Sequence, residues 1–283
     1  MKVVIPAAGL GTRLLPATKA QPKEMLPVVD KPAIQYVVEE AVASGIKDIL
    51  IITGRGKRAI EDHFDRSVEL EYILEKSGKS RELDEIRRIS DMDNIYYIRQ
   101  KEQLGLGHAV LCAKDHINDE SFAVMLGDDL IISDTPGIKQ LLDMYKKLSC
   151  SVIAVERVPQ EMVHRYGVIK GKQVESGLYE IEDIIEKPSK EAAPSNIAAI
   201  GRYVFTPHIF ECLEKTDPGV GGEIQLTDGI KRLLSKEKAY AYEFSGRRYD
   251  IGTKEDWIKA TLQLALRRSD LEEGVRDILK DIQ

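Results

Sequence analysis

The strongest constraint on the fold is the alternation of short apolar runs with amphipathic stretches in the first half of the chain. The apolar or β-branched runs are typical of strands buried on both faces, and they occupy residues 3–5, 49–53, 95–98, 122–126 and 151–155. Helical patterns cover residues 34–43 and 135–148. This alternation predicts a doubly wound, Rossmann-like α/β fold with a mostly parallel mixed sheet. Ligands bind beyond the carboxyl ends of the strands in such sheets.

The second half of the chain has a different pattern. Short apolar stretches separated by glycines in residues 167–185 predict a small antiparallel region, and residues 197–205 predict one further strand. Residues 223–234 and 255–267 have helical patterns, and a polar C-terminal helix follows. Because the sequence contains no repeat and no low-complexity linker, we expect residues 1–283 to form a single domain.

Two segments depart from these patterns. Residues 6–32 hold five of the eleven prolines and show no periodicity, and an irregular segment of this length is usually functional. Residues 65–93 are about half charged and predict two amphipathic helices inserted before the third strand. A solvated helical arm is the simpler interpretation of this insertion, and a subunit contact is the alternative.

Composition excludes several classes of partner. The 47 acidic and 41 basic residues give a net charge of −6, so no basic excess exists to neutralise a nucleic-acid backbone. No apolar run approaches the ~20 residues needed to cross a bilayer. The cysteines Cys112, Cys150 and Cys212 lack metal-ligand spacing and are expected to be reduced thiols. We therefore expect a cytoplasmic protein that binds neither nucleic acid nor membrane.

A glycine-containing loop follows the first predicted strand directly. Gly9 and Gly11 allow backbone N–H groups to approach phosphate oxygens closely. A dinucleotide-binding loop would need a third glycine where Leu14 stands, so that common alternative does not fit. Arg13 and Lys23 lie nearby in the proline-rich segment, and a guanidinium fork with a compact ammonium suits a triphosphate.

These motifs resemble those of the prokaryotic UTP–glucose-1-phosphate uridylyltransferases. The resemblance is carried by Gly-Leu-Gly-Thr-Arg (9–13), Pro-Lys-Glu-Met-Leu-Pro (22–27), Gly-Leu-Gly-His-Ala (105–109), Glu-Lys-Pro (186–188), Gly-Glu-Ile-Gln-Leu-Thr-Asp (222–228) and Tyr-Asp-Ile-Gly (249–252). It covers almost the whole chain. It implies that residues 1–155 mainly bind nucleotide, that residues 156–268 mainly bind sugar phosphate, and that residues 269–283 form a C-terminal helix.

The resemblance also implies roles for individual residues. Arg13 and Lys23 would act on the leaving pyrophosphate, and Lys187 on the attacking sugar phosphate. The residues implied in nucleotide binding are Ala8, Gly9, Gly11, Gln100 and Gly105, where the Gln100 amide offers the donor and acceptor that uracil requires. The residues implied in sugar binding are Gly167, Glu186, Gly201 and Glu223, although Gly167 and Gly201 also suit simple turns.

The implied cofactor is Mg²⁺, held by Asp128 and Asp250. Two carboxylates with triphosphate oxygens and water make a normal magnesium site. Asp129 is expected either to support Asp128 or to face solvent. Pro188 is expected to keep Lys187 extended, because proline disfavours a helical conformation in the preceding residue. The five histidines show no ligand spacing, and no catalytic role is assigned to them.

The resemblance therefore implies that UTP and glucose 1-phosphate are substrates of an in-line displacement that releases pyrophosphate. The attacking phosphate is already anionic, so the reaction needs no general base. A glucose-1-phosphate thymidylyltransferase and a catalytically silent nucleotide-binding module are the alternatives. A homodimer or homotetramer is implied by resemblance alone.

Overall fold

A nine-stranded mixed sheet forms the centre of the computed structural model, which describes residues 1–282. The strands within these residues are β1 Lys2–Pro6, β2 Pro27–Val28, β3 Lys31–Pro32, β4 Asp48–Thr53, β5 Asn94–Arg99, β6 Phe122–Met125, β7 Asp129–Ile132, β8 Ser151–Arg157, β9 Gly167–Glu175, β10 Leu178–Glu186, β11 Ile197–Phe205, β12 Ala239–Glu243 and β13 Arg247–Asp250. The helices are α1 Ala33–Ala43, α2 Arg58–Phe64, α3 Val68–Lys76, α4 Ser80–Ser90, α5 Leu106–Leu111, α6 Lys114–Ile117, α7 Gly137–Leu148, α8 His208–Glu214, α9 Leu226–Leu233, α10 Lys254–Ala265 and α11 Glu272–Ile282.

The strand order of the main sheet is β5-β4-β1-β6-β11-β8-β12-β10-β9. Its first four strands are all parallel, so their carboxyl ends share one edge. β11 runs antiparallel to β6 and β8, and β9 and β10 form an antiparallel pair. The predicted α/β fold with a mixed sheet and an antiparallel subregion is confirmed.

The core lies on both faces of the sheet. In β1, Val4 packs on the face covered by α5, α8 and α9, whereas Val3 and Ile5 pack on the face covered by α1 and α7. All three side chains are fully buried. Burial of this kind explains why β1, β4, β6 and β8 appear in the sequence as continuous apolar runs rather than alternating ones. β5 lies at the edge of the sheet and none of its residues is fully buried, so the prediction that residues 95–98 are buried on both faces is wrong.

The proline-rich segment after β1 contains no long element. It forms three short 3₁₀ turns, Thr12–Leu14, Ala17–Lys19 and Lys23–Met25, and then the two-residue strands β2 and β3. The segment ends at Pro32, after which α1 begins. Pro22 precedes the third turn, and Met25 N donates to Pro22 O at 3.0 Å. The irregular conformation predicted for residues 6–32 is confirmed.

The predicted helical arm is present as α3 and α4. Its centre is Glu71, whose side chain is 6% exposed and accepts hydrogen bonds from Arg66 Nη2 at 2.7 Å and Arg87 Nε at 3.0 Å. The apolar residues of α3 are less buried than their spacing predicts, because Leu70 and Ile73 are 43% and 57% exposed.

Several boundaries differ from the sequence-based prediction. The helix predicted from residue 223 begins at Leu226, and the helix predicted from residue 135 begins at Gly137. Gly167 and Gly201 lie within β9 and β11, so the interpretation of these glycines as simple turns is wrong.

Among residues 1–282, no helix has the length and apolar character needed to span a membrane.

Candidate active site

A cleft of about 860 Å³ opens at the carboxyl edge of the four parallel strands and extends onto the antiparallel region. The glycine loop follows β1, Gln100 follows β5, and Asp128 follows β6 after two residues. The cleft brings together every residue that the sequence singled out for catalysis, substrate or metal, namely Ala8, Gly9, Gly11, Arg13, Lys23, Gln100, Gly105, Asp128, Gly167, Glu186, Lys187, Gly201, Glu223 and Asp250.

The glycine loop is shaped by Gly11, which has a φ of 67°. A Cβ atom at this position would lie 3.2 Å from Cβ of Lys23 and from Cγ2 of Thr18, so a larger residue would displace the turns that follow. Thr18 Oγ1 also donates to Gly11 O at 2.8 Å. The loop is therefore packed directly against the segment that carries Lys23.

Lys23 forms an ion pair with Asp128 at the floor of the cleft. Burial lowers the pKa of Lys23, but the negative charges of Asp128 and Glu24 outweigh this effect and raise the pKa above its usual value. Burial likewise raises the pKa of Asp128, but the charge of Lys23 outweighs it and holds the pKa below its usual value. Both groups are therefore charged at neutral pH.

Asp250 lies beside Asp128 because of a short strand pair outside the main sheet. β13 pairs with β7, which places Asp250 opposite Asp129, and Ile251 N donates to Asp128 O at 3.1 Å. Asp250 Oδ1 accepts a 2.8 Å hydrogen bond from Gly252 N. Burial, and then the charge of Asp129, raise the pKa of Asp250. Two carboxylates distant in sequence are thus held together.

Asp129 is buried, with 4% exposure, so the alternative in which it faces solvent is wrong. Its Oδ1 accepts a 2.6 Å hydrogen bond from Arg248 Nε, and its Oδ2 accepts a 2.9 Å bond from Gly201 N. Both carboxylate oxygens therefore have protein partners. Asp129 is thus tied both to β13 and to β11.

Gln100 lies at the end of β5 with 4% exposure. Its Nε2 donates to Gly105 O at 3.1 Å and lies 2.8 Å from His108 Nδ1. The amide Nε2 of Gln100 therefore holds the loop that follows. Only the amide oxygen Oε1 of Gln100 is left to bind a base. That loop is tied to the other half of the chain, since Ile224 N donates to Leu104 O at 2.7 Å, and Gly107 N in α5 donates to Ile224 O at 2.8 Å.

The predicted sugar-phosphate side is formed by β9, β10 and the start of α9. Glu186 Oε2 accepts a 3.0 Å hydrogen bond from Thr227 Oγ1, and Lys187 Nζ lies 3.2 Å from Glu186 Oε1. Lys187 has a φ of 44°, so the prediction that Pro188 keeps it extended is wrong. Its backbone N donates to Tyr166 O at 2.9 Å, and this bond stabilises the unusual conformation.

The cleft also contains charged residues that sequence reasoning missed. Arg165 Nη2 donates to Asp256 Oδ2 at 2.8 Å and lies 3.4 Å from Asp250 Oδ2. Arg248 bonds to Asp129 and, through Nη1, to Glu156 Oε1 at 2.8 Å. Arg248 stands directly before the Tyr-Asp-Ile-Gly motif, two residues ahead of Asp250, and this position was the available signal. Nothing local marks Arg165, because its partners are distant in sequence.

The comparisons with known proteins agree with this geometry. The sequence model described as nucleotidyl transferase matches residues 2–266. The chain belongs to this family. A UTP–glucose-1-phosphate uridylyltransferase of Staphylococcus epidermidis is 54% identical over 281 residues, which cover 99% of this chain and 98% of the relative.

Two solved structures of family members match closely. A UDP-glucose pyrophosphorylase complexed with UDP-glucose has a TM-score of 0.87 at 48% identity, covering 94% of this chain and 99% of that one. A UTP-bound UGPase from Acinetobacter baumannii has a TM-score of 0.92 at 40% identity, covering 100% of this chain and 99% of that one. The nucleotidyl transferase fold therefore extends over the whole of this chain.

Proposed function

We propose that this nucleotidyl transferase transfers a uridylyl group from UTP to glucose 1-phosphate and gives UDP-glucose and pyrophosphate. The observation that carries the proposal is the meeting of Lys23, Asp128 and Asp250 in one cleft with the glycine loop and the Glu186–Lys187 pair. The names of the similar proteins, one of them bound to UDP-glucose and another to UTP, support the same reaction.

The residues of the cleft suit a displacement at the α-phosphorus of UTP. The phosphate of glucose 1-phosphate is anionic near neutral pH, so the protein has to position two anions and neutralise their charge rather than remove a proton. In this proposal Arg13 and Lys23 bind the leaving pyrophosphate, and Lys187 binds the attacking phosphate. Glu186, Glu223, Gly167 and Gly201 face the sugar.

Asp128 and Asp250 are the residues that would hold Mg²⁺. Their carboxylate oxygens are the hard ligands that Mg²⁺ prefers, and the ion usually takes one or two carboxylates together with substrate phosphates. No cluster of three or more metal-ligating side chains occurs in the part of the chain that the structure describes. When bound, the ion would neutralise charge on the triphosphate.

The nucleotide is assigned to residues 1–155 and the sugar phosphate to residues 156–268 in this proposal. Ala8, Gly9 and Gly11 would approach the phosphates through their backbone, while Gln100 and Gly105 would contact the base. The Gly107–Ile224 hydrogen bond joins the two parts.

The test is pyrophosphate release with glucose 1-phosphate, Mg²⁺ and either UTP or dTTP. We expect rapid release with UTP, little with dTTP, and none after EDTA removes the metal. A preference for dTTP would identify a thymidylyltransferase instead. Binding of UTP without any pyrophosphate release would identify a silent nucleotide-binding module.

We further propose that the protein forms a homodimer or homotetramer. None of the residues of α11 that the structure describes is buried, and its apolar side chains at Val275, Ile278, Leu279 and Ile282 follow helical spacing along one face. Light scattering during size-exclusion chromatography would measure the molar mass of the protein in solution. A dimer or larger species that dissociates in Ile278→Glu would support this interface, and a monomeric wild-type protein would contradict it.

We propose a cytoplasmic location as well. UTP and glucose 1-phosphate are strongly charged and do not cross membranes unaided, so an enzyme that joins them must work where they are made. Fractionation of cells with an antibody against the protein would test the location.

A further inference from the structure

A second ion pair lies behind the pair formed by Lys23 and Asp128. Lys57 Nζ donates a 2.8 Å hydrogen bond to Glu24 Oε2, and the two side chains are 6% and 1% exposed. Burying two charges costs several kcal/mol per ion before their attraction is counted, and apolar residues of similar volume often fill such a space at least as well. Stability alone therefore does not explain why this pair is charged.

Lys57 belongs to the same edge of the sheet as the rest of the site. It follows β4 after a short turn, in which its backbone N donates to Gly54 O at 3.3 Å, and it immediately precedes α2. The strands β5, β1 and β6 are each followed by residues that line the cleft, and Lys57, which follows β4, pairs with the cleft-lining residue Glu24.

Glu24 occupies the position from which it can act on both members of the first pair. It lies on the same 3₁₀ turn as Lys23, and its Cγ is 3.2 Å from where a Cβ atom on Gly127 would stand. Its side chain therefore packs beneath the backbone that leads to Asp128. Its negative charge acts on the Lys23 ammonium, as does the charge of Asp128.

The charges of two carboxylates, Asp128 and Glu24, thus act on Lys23, and Lys23 is paired with Asp128, whereas Glu24 is paired with Lys57. We propose that Lys57 is a positioning residue, which occupies the Glu24 carboxylate and so leaves the Lys23 ammonium directed at Asp128 and the cleft. Without Lys57, Glu24 would be a buried carboxylate without its ion-pair partner, and Lys23 is the other cation whose charge acts on it. The effect on turnover rests on the proposed function, whereas the effect on Lys23 geometry does not.

The first test compares Lys57→Met with Lys57→Met/Glu24→Met. We expect the single variant to lower kcat by about tenfold or more while KM for UTP changes little, because one transition-state cation is withdrawn. The double variant removes the competing carboxylate, so kcat should return to near the wild-type value. A single variant with full kcat, or a double variant as slow as the single one, would overturn the proposal.

A matched control separates positioning from loss of stability. Glu71 is also a buried carboxylate, 6% exposed and paired with two arginines, but it lies in the helical arm, away from the cleft. Glu71→Met should lower the melting temperature without lowering kcat. If the activity of Lys57→Met merely follows its melting temperature, as for any destabilised variant, the positioning role is wrong.

The second test does not depend on turnover. In a crystal structure of Lys57→Met we expect Lys23 Nζ to contact Glu24 instead of Asp128, and in the double variant to contact Asp128 again. Lys57→Gln replaces the single variant if that protein does not fold. An unchanged Lys23–Asp128 contact in the single variant would overturn the proposal, whatever reaction the protein catalyses. A wild-type protein without uridylyltransferase activity would contradict only the proposed function.

Discussion

The Arg248 guanidinium and the Asp129 carboxylate form a buried pair, with Nε and Oδ1 2.6 Å apart and both side chains below 10% exposure. This pair lies where β13 meets β7, and it fixes the strand that carries Asp250 next to the residue that follows Asp128. The remaining oxygen of Asp129 binds Gly201 N on β11. One side chain therefore joins the metal-binding candidates to the predicted sugar-binding strand.

We expect Asp129→Leu to be strongly destabilising. The change leaves the buried Arg248 without one carboxylate and Gly201 N without an acceptor, and breaking a buried pair in this way costs about 3–5 kcal/mol. Asp129→Asn keeps a neutral acceptor and should cost less. Denaturant unfolding measures the difference in the free energy of unfolding between the two variants. Equal free energies of unfolding for Asp129→Leu and the wild type would contradict this account.

Lys23→Met is expected to lower turnover by about 10²–10³-fold, the usual effect of removing one group that stabilises transition-state charge. The protein should remain folded, because the loss of a hydrogen-bonded ion costs about 1.5–3 kcal/mol against a total stability of about 5–15 kcal/mol. Pyrophosphate release and thermal unfolding would be measured on the same sample. Activity that falls only with the folded fraction would argue against a role for Lys23 in the reaction.

Gly105→Ala should weaken binding of both substrates. Gly105 has a φ of 101°, and an added Cβ would lie 2.7 Å from Glu223 Cβ and 2.9 Å from Ile224 O. The loop must therefore move away from residues 223–224, at a cost of about 1–3 kcal/mol. We expect KM for UTP and for glucose 1-phosphate to rise together in steady-state assays. A rise in neither KM would show that this contact does not shape the cleft.

Gly274→Ala is the matched control for that substitution. Gly274 lies inside α11, and an added Cβ there would meet no atom within 4 Å. Alanine is favoured over glycine in a helix interior by about 0.8–1.0 kcal/mol, so in the first turn of α11 the control should lose no stability while both KM values stay unchanged.

The sequence predicts the main sheet well, because most strands between the edge strands β5 and β9 are buried on both faces and leave a clear apolar pattern. β11 has the predicted bounds, Ile197–Phe205, for this reason. The pair β7 and β13 was not predicted. Each is four residues long, and their partnership joins residues more than 100 positions apart, which no local pattern encodes. This pair is what brings Asp250 to Asp128.

The residues of the candidate site also divide into those that local sequence patterns predict and those that depend on tertiary contacts. Gly11 and Lys23 were accessible to sequence reasoning because glycine conformation and proline stiffening are local properties. The pairing of Asp129 with Arg248, and of Glu24 with Lys57, depends on tertiary packing. At Lys187 a local rule gave a wrong prediction. The residue before a proline is usually extended, but Lys187 has a positive φ, and its backbone N donates to Tyr166 O.

The helical arm should respond to acid through Glu71. Hydrogen bonds from Arg66 and then Arg87 lower the pKa of Glu71 to about 2, well below the ~4.3 of an unfolded glutamate. The stabilisation from Glu71 is therefore fully present above about pH 4.3 and is lost as the pH falls through about 2. Melting temperatures of wild type and Glu71→Gln between pH 2 and 7 would show this. We expect a constant difference above about pH 5 that narrows steadily below about pH 4, and a difference that widens in acid would contradict the assignment.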